Sequence, residues 1–199
     1  MSTSRIRAAG PFLDRATLVR SAADLADAEG WNEITLSRVA DEVDRHVSSL
    51  YTHVDGLDDL RLEIAKLAVD ELADEVWRAV LGRTGADALT AIASVERDFS
   101  RSHPGRLAAI HEFSGTTDPD FRERALRLAE PIRVTLASFG LDHMQIEIAH
   151  RVFSAAVRGL VVVETTTKAQ RMDADLALDE TVALFVSALE SGAWPRTHD

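Results

Sequence analysis

Apolar side chains recur along this chain every three or four residues, the spacing of α-helices, and no stretch shows the alternation typical of β-strands. The first periodic stretch lies between Asp14, a residue type that caps helices, and Gly30, a residue type that ends them. Its apolar positions predict a helix with one buried face, formed by Ala16, Val19, Ala22, Ala23 and Ala26.

Two short helices separated by a tight turn are predicted next. Thr35 is placed to cap a helix over 36–43, and a second helix over 47–54 would bury Leu50 and Val54. Between them, Asp44 is expected to reach the left-handed conformation at modest cost. Two short helices across a tight turn form a helix-turn-helix, whose second helix can enter the major groove of DNA.

Six further helices are predicted after the helix-turn-helix, and glycine or proline residues separate most of them. The first of the six would be about 36 Å long, so it can connect two parts of the molecule. The chain is therefore expected to have an all-α fold of nine helices, the last six over 57–81, 86–102, 106–113, 119–139, 143–167 and 175–191.

The charge distribution is unusual for a protein that binds nucleic acid. The chain has 199 residues and a net charge of −11, and residues 1–60 contain six Arg, no Lys and eleven acidic residues. Few phosphate contacts and a shallow salt dependence of DNA binding are therefore expected. The sequence has no cysteine, no apolar signal segment and no apolar run that could cross a membrane, which predicts a cytoplasmic protein without a membrane partner.

The helix-turn-helix carries a specific combination of residues. Thr35, Val39 and Ala40 stand at its first helix, and the sequence LYTHV occupies 50–54. This combination resembles the DNA-binding domain of the tetracycline-repressor (TetR) family, and the resemblance extends back to about Asp14. Two later segments, FSRSHPGRLAAI and VFSAAVRGLVVVE, also resemble the core of one TetR subfamily.

The resemblance implies four parts of the chain. These are a flexible arm at 1–13, a three-helix DNA-binding headpiece at 14–56, a six-helix ligand-binding and dimerisation core at 57–192, and a tail at 193–199. In the arm, Arg5 and Arg7 either reach the minor groove or contact nothing.

The resemblance also implies which side chains contact double-stranded DNA. Arg38 and the serine hydroxyls would bind phosphates, while Val47 and Thr52 would offer methyl groups to thymine. The ring of Tyr51 either packs inside the headpiece or places its hydroxyl at a phosphate. The nine residues that align with DNA contacts are Ser37, Arg38, Arg45, Val47, Ser48, Ser49, Tyr51, Thr52 and His53.

The chain departs from the family pattern at four positions of this region. Asp44 replaces the usual glycine of the turn, Arg45 an apolar residue, and His46 a small polar cap. Leu57 stands where the family often has a phosphate-binding lysine. These departures leave open a second interpretation, a helical ligand-binding or interaction protein that has lost operator binding.

TetR-type cores enclose a ligand pocket between the long fourth helix and the three helices that follow it. The apolar stripes of these helices favour a small, largely apolar effector, with Glu96, His103 and His111 as polar contacts. An effector would tilt the fourth helix and change the spacing of the headpieces. The expected lining is Trp77, Phe99, His103, Ile110, His111, Phe113, Phe121, Leu128, Ile132 and Phe153.

The last two helices carry apolar stripes at the spacing of a helix–helix seam, and two small residues would allow close approach. The resemblance implies that these helices pair with the same helices of a second subunit. The expected homodimer interface contains Ile148, Val152, Ala155, Gly159, Val162, Val182, Phe185 and Leu189.

One group of residues raises the question of a metal. His143, Glu147 and His150 lie at i, i+4 and i+7, and Glu-x-x-His is one of the two units that di-iron bundles need. Because a second unit is missing, a solvated helix face is the favoured interpretation, with no metal, cofactor or catalytic residue. The sequence thus predicts a non-enzymatic TetR-like regulator, a dimeric repressor that a small molecule releases from a palindromic operator.

Overall fold

The computed structural model describes residues 13–166, 171–192 and 194. Arg5 and Arg7 of the predicted arm lie outside the described residues, as do 167–170 and most of the tail. Nine α-helices and one short 3-10 helix, Trp31–Glu33, form within the described part. The α-helices are α1 (Arg15–Glu29), α2 (Leu36–Glu42), α3 (Val47–Leu50), α4 (Leu57–Val80), α5 (Gly85–Ser102), α6 (Pro104–Phe113), α7 (Pro119–Ala137), α8 (His143–Thr166) and α9 (Arg171–Glu190).

The predicted all-α fold is confirmed, and its N-terminal caps follow from local chemistry. The side-chain oxygen of Asp14 accepts from the N–H of Thr17 at 2.7 Å, and that of Thr35 accepts from the N–H of Arg38 at 3.2 Å. These bonds satisfy N–H groups that have no partner within the first turn of a helix.

The second helix of the helix-turn-helix is shorter than predicted. It was expected over 47–54, but α3 ends at Leu50 and a turn covers the next three residues. The N–H groups of Thr52 and His53 bond to the carbonyls of Ser49 and Leu50, three residues back, which is the tighter 3-10 pattern. The predicted burial of Leu50 and Val54 is nevertheless confirmed.

Helix α4 is the central element of the molecule and packs against α1, α5, α6 and α7. Its buried residues include Leu60 near the helix-turn-helix and Val76 about 24 Å along the axis. Every helix contributes to one continuous hydrophobic cluster that extends from Leu18 to Leu189. In the described part of the chain, no helix is both long enough and apolar enough to cross a membrane.

A close crossing of α1 and α6 joins the headpiece to the core. A Cβ atom on Gly105 would lie 2.6 Å from the backbone nitrogen of Asp27, so only glycine fits there. The guanidinium of Arg106 binds Asp24 at 2.7 Å and Glu71 at 2.9 Å, and it also binds Asp27. The crossing therefore fixes α1 to both α6 and α4.

Candidate functional site

The turn of the helix-turn-helix is built around Asp44. This residue has a φ of 51°, so it adopts the left-handed conformation that the sequence predicted. The N–H of Arg45 bonds to the carbonyl of Ala40 at 2.9 Å, and the N–H of Asp44 bonds to that of Asp41 at 3.3 Å. This pair of bonds is a Schellman motif, the usual way to end a helix on a left-handed residue.

The side chains expected to contact DNA lie on α2, on α3 and in the turns that follow these helices. The ring of Tyr51 is 57% exposed, so it does not pack inside the headpiece. Leu50 and Val54 are buried on the opposite side and fix the orientation of α3. Ser37, Ser48, Tyr51 and Thr52 are exposed, whereas Arg38, Arg45, Val47, Ser49 and His53 are half-buried.

Arg38, one of the cations of this region, already has acidic partners. Arg38 donates from Nε to Glu29 at 2.9 Å and approaches Glu42 at 3.5 Å. The hydrogen bond to Glu29 raises the pKa of Arg38 and lowers the pKa of Glu29. A phosphate that binds Arg38 must therefore compete with two carboxylates.

Arg15 positions the end of the helix-turn-helix, a role that the sequence did not reveal. Its guanidinium donates to the carbonyl of His53 at 2.7 Å and forms ion pairs with Asp59 at 3.1 Å and Glu63 at 3.3 Å. It thus joins α1, the residues after α3, and the first turns of α4. No periodic pattern marks this residue, because it lies on the exposed side of α1.

A cavity of about 420 Å³ lies among α4, α5, α6, α7 and α8. Four of the residues expected to line a pocket do line it: Ile110, Phe121, Leu128 and Ile132. A fifth, His111, borders a smaller void of about 30 Å³. The two spaces adjoin, since Glu96, Ile110, Leu128 and Arg158 line both.

The other five expected pocket residues lie outside this cavity, and two of them, Phe99 and His103, border a separate cavity of about 230 Å³. Trp77 donates its indole N–H to the carbonyl of Arg127 at 3.2 Å, and Phe113 packs against Phe121. His103 contacts Asp27 of α1, and Phe99 packs against the His103 ring. Phe153 packs against Phe185 of α9. The helical spacing of apolar residues identifies buried faces, but it does not show which buried side chains border a void and which fill the contacts between helices.

The cavity also has a polar wall that the sequence analysis missed, so its lining is not poor in charge as expected. Positions 147, 150, 151, 154 and 158 recur at helical spacing on α8 and face α7. Polar residues at such spacing usually face solvent, so the spacing alone does not assign them to a pocket. Glu96, which the sequence predicted as a polar contact, also lines the cavity. The polar lining residues that the sequence did not predict are Ser114, Arg133, Glu147, His150, Arg151, Ser154 and Arg158.

This wall contains one ion pair, and two of its guanidinium groups form no ion pair with a described residue. Arg133 binds both carboxylate oxygens of Glu147, at 2.7 and 3.1 Å, which lowers the pKa of Glu147. Arg151 and Arg158 form no ion pair or hydrogen bond with any residue that the structure describes. Glu147 is therefore held by an arginine, and the described residues contain no group of three side chains arranged to hold a metal ion.

Two titratable groups lie at the inner end of the cavity. Burial raises the pKa of Glu96 to about 7, although the nearby Arg158 opposes this change. Burial also lowers the pKa of His111, and Arg158 lowers it further. The Nε2 atom of His111 is buried and has no hydrogen-bond partner in the described part of the protein.

The expected dimer residues fall into two groups. On α8, Ile148, Val152 and Val162 are exposed apolar side chains, and Gly159 has open space beside it. Ala155 is exposed at the cavity rim. On α9, however, the stripe is buried inside its own subunit, where α5 and α8 cover it. This corrects the prediction for Val182, Phe185 and Leu189, because the spacing marks a buried face without identifying its neighbour.

Comparisons with known proteins agree with this architecture. Residues 89–189 match the family described as tetracyclin repressor-like, C-terminal domain. The chain is 31% identical over 179 residues to a helix-turn-helix-type transcriptional regulator of Mycobacterium tuberculosis, which covers 89% of this chain and 82% of that protein.

Solved structures share the fold at low sequence identity. A protein of unknown function from Rhodococcus sp. RHA1 matches 92% of this chain and 99% of its own, with a TM-score of 0.78 and 15% identity. A TetR variant from Acinetobacter baumannii AYE in complex with minocycline matches 93% of this chain and 100% of its own, with a TM-score of 0.68 and 20% identity. At these identities the structures show the fold alone.

Proposed function

The chain belongs to the TetR family of transcriptional regulators, and on this premise we propose that it is a homodimeric repressor that leaves a palindromic operator when a small molecule occupies its core cavity. The observation that carries the proposal is the course of α4. This helix begins directly after the helix-turn-helix, and Val69 and Leu72, farther along it, line the cavity and the adjoining void.

The coupling would pass along α4 as a rigid body. Asp59 in its first turn accepts from Arg15 and from the N–H of Asp55, so the start of α4 is tied to the helix-turn-helix. Val69 at the cavity is ten residues farther on, about 15 Å along the helix. A ligand that binds one position of α4 more tightly than another shifts the population of headpiece positions.

A dimer would make this shift matter for DNA binding. The two recognition helices must reach successive major grooves, about 34–36 Å apart, so the spacing of the headpieces decides whether both can bind. Exposed apolar side chains on α8 and α9, among them Ile148, Val152 and Leu184, offer a surface for a symmetric pair of subunits. Such a dimer requires an operator with matching two-fold symmetry.

In this proposal the exposed surface of the helix-turn-helix reads the operator. Ser48, Tyr51 and Thr52 project from the recognition region, and Arg45 flanks it. The protein needs no cofactor and no catalytic residue for this work, and it would act in the cytoplasm, where the DNA is.

A second candidate function is ligand binding without an operator. Its support is the net charge of −5 over residues 1–60 and the acidic partners of Arg15 and Arg38. Both features reduce the positive charge that DNA phosphates would meet.

Selection of bound sequences from random duplex DNA, at low salt and without ligand, separates the two candidates. The repressor proposal predicts enrichment of a palindrome whose half-sites are about one helical turn apart. Tyr51→Ala serves as the matched control, since removal of an exposed ring should abolish enrichment without unfolding the protein. Absence of enrichment from a folded dimer would favour the second candidate.

A further inference from the structure

The positive and negative side chains that line the cavity do not balance. Five charged side chains line it, and Arg133 and Glu147 neutralise each other through their paired hydrogen bonds. The remaining three are the guanidinium groups of Arg151 and Arg158 and the carboxyl of Glu96. Two guanidinium groups against one carboxyl leave a positive excess charge even when Glu96 is ionised, and burial, which raises the pKa of Glu96 to about 7, increases this excess.

One of the two guanidinium groups, that of Arg158, lies where the cavity meets the inner void. Arg158 lines both spaces, together with Glu96, and His111, which borders the void, has a buried Nε2 atom without a hydrogen-bond partner among the described residues. Buried polar atoms are nearly always hydrogen-bonded, so an unpartnered one beside an unpaired guanidinium points to a polar group of a ligand. The side chains of Arg158 and Arg151 are exposed, so a ligand can reach them from solvent.

The opposite wall is apolar. Ile110 of α6 and Phe121, Leu128 and Ile132 of α7 face the cavity across from α8. The volume of about 420 Å³ lies within the range of sites that bind small molecules. The cavity is thus divided into a cationic side on α8 and an apolar side on α6 and α7.

We propose that the effector is an amphipathic organic anion, whose acidic group binds Arg158 and whose apolar body lies against Ile110, Phe121, Leu128 and Ile132. The term effector rests on the repressor function proposed above. A ligand without charge would cover Arg158 and leave it without a counter-ion, which costs binding free energy. A carboxylate or sulfonate instead forms the charge-assisted, two-pronged hydrogen bonds that guanidinium groups make best.

Two pairs of probes that differ only in charge test this proposal in the full-length protein. The pairs are decanoate with 1-decanol and 2-naphthoate with 2-naphthalenemethanol, titrated calorimetrically at about pH 6.5, where the carboxylates are ionised. In at least one pair the anion should bind roughly tenfold or more tightly than its alcohol, the effect expected of a charge-assisted hydrogen bond. Equal affinities within both pairs, or no binding of either anion, would overturn the proposal.

A matched pair of variants locates the binding. Arg158→Gln should lower the affinity for the anion to that of the alcohol, whereas Arg122→Gln, an equal change of charge on the exposed side of α7, should leave it unchanged. Equal behaviour of the two variants would mean that the anion binds elsewhere, and it would contradict the assignment of Arg158.

These titrations contain no DNA, so the two proposals can fail separately. Anion binding in a protein that selects no palindrome would remove the repressor function and leave the ligand class intact. If the protein selects a palindrome but does not prefer anions, the proposed ligand class fails and the repressor function stands.

Discussion

Pro131 has no N–H, so it leaves the carbonyl of Arg127, four residues earlier in α7, without its usual helical donor. The indole N–H of Trp77 donates to this carbonyl at 3.2 Å. A side chain of α4 therefore replaces a backbone bond of α7. This accounts for an aromatic residue that is about one-third exposed and that lines neither the cavity nor the adjoining void.

Trp77→Phe should lower the free energy of unfolding by about 1 kcal/mol, because it leaves the Arg127 carbonyl without that donor. Urea denaturation of a double-mutant cycle with Pro131→Ala checks the cause. An alanine at 131 restores the backbone donor, so Trp77→Phe should then cost less. If Trp77→Phe lowers the free energy of unfolding equally with proline and with alanine at position 131, the bond from the indole N–H to the Arg127 carbonyl does not cause the loss.

Glu96 should make stability depend on pH. Its pKa of about 7 in the folded protein is above the ordinary value of 4.5, so folding favours the protonated form. Stability is therefore expected to fall as pH rises from about 4.5 through 7, as the folded protein is forced to ionise a buried carboxyl. Glu96→Gln removes this loss and should raise the free energy of unfolding by roughly 1–3 kcal/mol at pH 8, with little effect at pH 4.

Urea titrations at both pH values provide the measurement, and Glu130→Gln on the exposed side of α7 is the control. The control should leave stability unchanged at either pH. A Glu96→Gln protein with the same pH dependence as the wild type would contradict the assigned protonation.

At the scale of whole elements, the crossing of α1 and α6 decides how the headpiece is attached. Gly105→Ala should lower the free energy of unfolding by about 1–3 kcal/mol, since the new methyl group meets the backbone of α1 at Asp27. Chemical denaturation compares it with Gly115→Ala, where no atom lies within 4 Å of the added carbon. A similar small effect at both positions would mean that the crossing is looser than described.

The helices were predictable from the sequence because the signals are local. Asp14 and Thr35 cap their helices through neighbours three residues away, and Asp44 ends α2 through backbone bonds within the same turn. The helix that packs against a buried face, however, lies far away in the sequence or in another subunit, so local signals do not identify it. The stripe at Val182 and Phe185 could face a second subunit or the same chain, and only tertiary packing assigns it to the latter.

The candidate site was less predictable than the fold for the same reason. Four apolar lining residues were found because buried stripes on α6 and α7 are recognisable. The polar wall was not found, because Arg151, Ser154 and Arg158 have the pattern of a solvated face. Their role depends on a void between α7 and α8, and the periodicity of residues along the sequence does not predict such a void.

For the molecule as a whole, few cations are available for DNA. Arg15 and Arg38 bind carboxylates, and residues 1–60 contain four other arginines, Arg5, Arg7, Arg20 and Arg45. With at most eight of these per dimer, the slope of log affinity against log salt should be shallower than about −7. Fluorescence anisotropy on the selected duplex over a range of salt gives the slope, and a steeper value would require phosphate contacts from the core.

The central claim is that occupation of the core cavity weakens operator binding, and a variant that fills the cavity tests it without a known ligand. Ala129 lines the cavity on α7, and Ala137 is exposed on the same helix outside it. The measurement is the affinity of Ala129→Phe and Ala137→Phe for the selected operator, in proteins shown to be folded dimers. We predict a loss of roughly tenfold or more for Ala129→Phe, the size of a typical coupling between two sites, and no change for Ala137→Phe. Wild-type affinity in the Ala129→Phe protein would contradict the account.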